Sequence, residues 1–148
     1  MNEHSPTRRA HGFTLIEILV VITILAIMAA LIVPRIMDRP DQARATAARA
    51  DVNAIMSALK LYKLDNGNYP TGEQGLQALV KKPDRGDIPR NWKPGGYLEK
   101  LAQDPWGHDY VYVAPGSNGA PYDLYSLGAD GQPGGEGIDA DINSREIK

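Results

Sequence analysis

The sequence predicts an α+β fold: one long N-terminal α-helix, apolar at first and amphipathic afterwards, packed against a small antiparallel β-sheet head. Three observations point to it. Phe13 to Val33 is an apolar run of about 20 residues that leads into a stripe of helical period. Two β-rich runs lie close together further on, and a glycine-rich acidic stretch follows them. With 148 residues, 43% of them hydrophobic, one anchor and one soluble domain is the natural division.

At ~1.5 Å per residue the apolar run spans a hydrocarbon core of ~30 Å, so residues 13–33 are expected to form a transmembrane helix. Arg8 and Arg9 stand just before it and favour a cytoplasmic N-terminus, which sends everything after Val33 to the periplasm. Glu17 is the one ionisable group in the run. A carboxylate at that depth costs on the order of a few kcal/mol unless it finds a partner. A secretory signal peptide fits poorly, because the run is too long and Ala29-Ala30 is followed by Leu31-Ile32-Val33-Pro34 rather than a polar exit. A plain signal anchor leaves Glu17 unexplained.

Pro34 and Pro40 each remove a backbone donor, so a bend or local melting of the helix is expected there. From Gln42 the pattern recovers. Ala48, Val52, Ile55, Met56, Leu59 and Tyr62 form an apolar stripe, opposite a solvated face carrying Arg44, Arg49, Asp51, Asn53, Ser57, Lys60 and Lys63. Asp65-Asn66-Gly67-Asn68 supplies the residues that close a helix C-terminus. The division expected is therefore 13–33 transmembrane, 34–67 the amphipathic half and 68–148 a globular head. Within the head, Gln74 to Val80 reads as a short helix and Leu98 to Ala102 as a further turn. Asp109 to Val113 and Tyr122 to Leu127 form an antiparallel hairpin across the loop Ala114 to Pro121, in a sheet of two or three strands. The polar tail after Asp141 is expected to be mobile.

No cysteine is present, so a small exported head must be stabilised without a disulfide. The stretch 127–141 carries Asp130, Glu136, Asp139 and Asp141 among glycines. On the residues alone it is either a flexible acidic turn or a loop that wraps oxygen ligands around a hard cation such as calcium. An EF-hand is excluded. Gly135 falls at the sixth position counted from Asp130, but Gln132 and Gly134 occupy ligand positions, Asp141 is shorter than the usual glutamate, and no helix pair flanks the loop.

Catalysis has little support, so the chain is not expected to be an enzyme. His108 is the one histidine beyond residue 12, and neither Ser117 nor Ser126 sits in a nucleophile motif. Trp92, Trp106 and most of the tyrosines read as core or subunit contacts. The glycines of Gly131 to Gly137 lead into no helix, which argues against a phosphate loop. A net charge of −2 argues against nucleic acid as a partner.

Gly12-Phe13-Thr14-Leu15-Ile16-Glu17, after Arg8-Arg9, resembles the processing site of the type IV pilin and pseudopilin superfamily. That resemblance implies cleavage after Gly12 by a prepilin peptidase, loss of the leader 1–12 and N-methylation of Phe13. It also implies that Glu17 neutralises the Phe13 amine of a neighbouring subunit during assembly. Three further motifs resemble the major pseudopilin of type II secretion, the general secretion pathway protein G family: Asp65 to Leu79, Asp104-Pro105-Trp106-Gly107, and Tyr125-Ser126-Leu127-Gly128-Ala129-Asp130-Gly131. The implied fold is type IV pilin-like α+β with a C-terminal metal-binding loop, and the implied cofactor is one structural calcium. The positions that match its ligands are Leu127, Asp130, Gln132, Asp139 and Asp141. The implied function is polymerisation into the periplasmic pseudopilus that drives folded proteins across the outer membrane. The subunit would be a single-pass protein of the bacterial inner membrane. Its partners would be further copies of itself, minor pseudopilins, the prepilin peptidase and an inner-membrane assembly platform with its ATPase. Two other readings remain: a type IV pilus subunit for adhesion, motility or DNA uptake, and a monomeric, membrane-anchored calcium-binding module.

Overall fold

The computed structural model describes residues 14–147, and for residues 30–39 the backbone alone. The expected leader, with Gly12 and Phe13, lies outside the described residues. Helix α1 runs Leu15–Asn66, followed by a 3-10 turn Leu76–Leu79, strand β1 Val111–Val113, a 3-10 turn Ser117–Gly119, β2 Asp123–Ser126 and β3 Ile142–Asn143. By internal contacts the chain divides into two compact units, Met1–Arg39 and Pro40–Lys148.

In the first unit the described side chains of α1 are apolar apart from Glu17 and Thr23. Its large apolar side chains from Leu15 to Met28 are between 49% and 84% exposed. Among the described residues no helix is long and apolar enough to cross a membrane; the described side chains of the expected span stop at Ala29. Helix α1 continues through both Pro34 and Pro40 without the expected local melting. A proline removes one intrahelical donor, and the two stand far enough apart for the bonds between them to carry the turn.

In the second unit the predicted stripe is the core. Ala48, Val52, Ile55, Leu59 and Tyr62 are buried, with Met56 packed against them. Burying a leucine such as Leu59 contributes about 2 kcal/mol. Leu76, Leu79, Tyr110, Leu124 and Ile142 close the cluster from the head side. Gly67 takes φ +86 just past the helix, and its N–H donates to Lys63 O at 2.7 Å, as the sequence foresaw.

The sheet is antiparallel in the order β1-β2-β3, with Tyr112 opposite Leu124 and Ser126 opposite Ile142. Two expectations are corrected. Leu98 to Ala102 is irregular, because the Tyr97 and Leu98 N–H groups both donate to Leu79 O, at 2.7 and 3.1 Å, and this ties the segment to the preceding 3-10 turn. The tail after Asp141 is built in: β3 pairs with β2, Ile142 and Ser144 are buried, and Ser144 N donates to Leu124 O at 2.9 Å.

Candidate functional site: the helix start and the glycine-rich loop

At the start of α1, Thr14 and Glu17 hold one another. Thr14 N and Oγ1 donate to Glu17 Oε2 at 2.8 and 3.0 Å, and Glu17 N donates to Thr14 Oγ1 at 3.3 Å. This is a capping box, Thr-x-x-Glu, which satisfies donors that a helix start leaves open. The sequence carried that signal ahead of an apolar run, and reading Glu17 only as an assembly residue missed it. Its expected partner, the Phe13 amine, lies outside the described residues.

The second site is the loop 127–141. Leu127 is half-buried at the end of β2, Asp130 and Gln132 are exposed, and Asp139 and Asp141 are half-buried. Asp130 Oδ1 accepts from Gln132 N at 3.0 Å and closes a short turn. Asp141 Oδ2 accepts from Gly134 N at 3.0 Å, while Asp141 N donates to Gly134 O at 3.1 Å. At the neck Ala129 N donates to Ile138 O at 3.1 Å. Gly128, at φ +67, packs so closely on the far side of the loop that a Cβ there would lie 2.6 Å from Asp139 O. Residues 127–130 and 138–141 are thus brought together through their backbones. Among the described residues, no three His, Asp or Glu side chains gather into a group that could hold a metal ion.

The donor chemistry fits a hard cation in one respect. Asp141 Oδ1 is buried and has no hydrogen-bond partner, an unusual state for a carboxylate oxygen and one that a cation would relieve. The candidate ligand residues of the loop offer carbonyl, carboxamide and carboxylate oxygens, the set calcium prefers. Glu136 contributes its backbone carbonyl to Asp139 N, at 3.2 Å.

Sequence reading missed the support beneath this loop. Asp104 is buried and accepts three hydrogen bonds: from Trp106 N at 3.1 Å, His108 N at 2.8 Å and Ser126 Oγ at 2.6 Å. Ser126 Oγ accepts from Gly128 N at 3.3 Å, and His108 Nδ1 lies 3.1 Å from Gly128 O. The serine gives its proton to the aspartate and none to His108, so this trio is not arranged as an activated nucleophile.

An apolar helix opening on a capped acid, joined to a small α+β head, defines a pilin-like subunit. Consistent with that class, the prokaryotic N-terminal methylation motif matches residues 7–33. The type II secretion system protein G model matches residues 35–145, and the chain belongs to that family. A type II secretion system core protein G from Pseudomonas aeruginosa is 59% identical over 137 residues, covering 93% of this chain and 96% of that protein. Its counterpart from Vibrio cholerae is 48% identical, covering 95% of each. The crystal structure of the major pseudopilin from the type 2 secretion system of enterohaemorrhagic Escherichia coli superposes with a TM-score of 0.64. That protein is 44% identical, and the match covers 73% of this chain and 91% of its own.

Proposed function

We infer that the chain is the major pseudopilin of a type II secretion system, polymerising through its N-terminal helix. The observation that carries the mechanism is the start of α1, whose large apolar side chains from Leu15 to Met28 are all exposed. Such a surface needs either lipid or copies of itself. The proposed course uses both: residues 13–33 hold the subunit in the inner membrane, the peptidase cuts after Gly12 and Phe13 is methylated. The helices then bundle as subunits leave the bilayer, with the heads outside in the periplasm. The methylation-motif match supports the processing steps.

Glu17 has two tasks in this scheme. In the single chain it caps its own helix with Thr14. In the filament it meets the neighbouring Phe13 amine, so that two charges costly in an apolar bundle neutralise each other. The chain moves no energy itself; the assembly platform and its ATPase supply it, and minor pseudopilins join the same filament.

One structural calcium in the loop completes the proposal. Leu127, Asp130, Gln132, Asp139 and Asp141 would hold it, and the partnerless Asp141 Oδ1 supports this. Bound there, the ion would neutralise acidic side chains and cross-link a segment that has no disulfide.

The test is Glu17→Lys expressed in cells lacking the native protein, with exoprotein release and periplasmic filaments followed together. Loss of both, with the protein still in the membrane, is expected. Full secretion by the variant would leave the monomeric anchor standing. Loss of surface pili with normal secretion, in cells without the protein, would return the type IV pilus reading.

A further inference from the structure

We propose that Ser126, held by Asp104, and His108 act as positioning residues for the cation loop by fixing the two peptide groups on either side of Gly128. This rests on the calcium reading of the loop. The Leu127 carbonyl, a candidate ligand, and the Gly128 N–H are opposite ends of one planar trans unit. Whatever holds that N–H therefore aims that carbonyl.

Ser126 Oγ is the holder. A hydroxyl has one proton to donate, and the 2.6 Å contact gives it to Asp104 Oδ2, leaving lone pairs for the Gly128 N–H at 3.3 Å. Asp104 cannot swing away, because its Oδ1 is tied to the N–H groups of Trp106 and His108. Its backbone is anchored too, with Asp104 N donating to His108 O at 2.8 Å and Gly107 N donating to Asp104 O at 2.9 Å. The serine is therefore oriented by a turn that is itself rigid.

The following peptide is held by other groups. Gly128 O is met by His108 Nδ1 at 3.1 Å, and since a carbonyl can only accept, that nitrogen carries the proton. Ala129 N, at the other end of the same plane, donates to Ile138 O at 3.1 Å. The His108 ring also backs onto the loop one turn later, where a Cβ on Gly131 would lie 3.0 Å from Nε2. His108 thus stands against both glycines that flank Ala129-Asp130.

The need for such bracing follows from Gly128 itself. Its φ of +67 and the closeness of Asp139 O leave no room for a side chain. Glycine is the most freely rotating residue, so a ligand-bearing peptide next to it is set only by hydrogen bonds from outside. Such outer supports commonly govern metal affinity without touching the metal.

The test uses the full-length chain in detergent micelles, stripped of divalent ions, with calcium binding followed by calorimetric titration and thermal unfolding recorded in chelator. Ser126→Ala and His108→Phe are each expected to weaken the calcium Kd by about 10-fold to 100-fold. A variant that melts earlier in chelator but binds calcium with unaltered Kd would have lost packing alone, and overturns the role for that residue. His108→Phe keeps a ring of similar shape at a half-exposed position, so it carries the test if Ser126→Ala does not fold. If the unsubstituted chain takes up no calcium, the calcium reading fails before any variant is compared, and the positioning role falls with it.

Discussion

Asp104 is buried, yet every hydrogen bond its carboxylate accepts comes from within the head: two from the turn that follows it and one from Ser126 on β2. Asp104→Ala leaves two N–H groups and a hydroxyl without an acceptor, and should cost about 3 kcal/mol of unfolding free energy. Denaturant unfolding at neutral pH measures this, and a loss below about 1 kcal/mol would mean water replaces the carboxylate. The sequence showed part of this, since aspartate ahead of Pro105 and Gly107 marks a turn. Ser126 lies 22 residues further on, and no local pattern announces such a partner. The candidate ligands divide in the same way. Their oxygen chemistry was readable in Asp130, Gln132, Asp139 and Asp141, whereas the approach of Asp139 to Gly128 depends on the loop folding back on itself.

Among the elements, α1 was legible from its period and its Asn66-Gly67 end because both signals are local. Strand β3 was not. Two residues carry no usable alternation, and Ile142–Asn143 becomes a strand only because the β2 edge is open to pair with it. Tyrosines in and beside strand β1 tie it to the helix and to the segment that follows the helix. Tyr110 Oη donates to Asp51 Oδ2 at 2.9 Å, so one residue of the expected solvated face has a structural partner; Tyr112 Oη donates to Pro70 O at 2.7 Å. Burial raises both phenols well above their ordinary value of 10.0, helped at Tyr110 by the Asp51 bond and at Tyr112 by neighbouring tyrosines. A folded-state value above the unfolded one contributes stability that is complete below pH 10 and is lost as pH rises through the folded-state range. The melting temperature should therefore drop in alkali, less steeply in Tyr110→Phe. Parallel curves for the two proteins would exclude Tyr110 as a cause.

For the whole molecule, the calcium proposal predicts a ligand-linked stability. At a free calcium concentration about 100 times Kd, binding adds about 2.7 kcal/mol, a rise in melting temperature of roughly 10 °C or more for a head of this size. Thermal scans of the full chain with calcium and with chelator measure it, and Asp130→Ala should remove most of the rise. Identical curves for the unsubstituted chain would count against the ion. The two tryptophans add a spectroscopic consequence. Trp92 donates its Nε1–H to Ala78 O at 2.8 Å and meets Tyr97 edge-on, while the Trp106 indole N–H is buried without a partner in the turn that braces the loop. Their fluorescence should therefore report on different things. Trp92 follows the packing of the core and Trp106 the state of the loop, so Trp92→Phe and Trp106→Phe, each leaving one indole, separate a loop signal from a core signal.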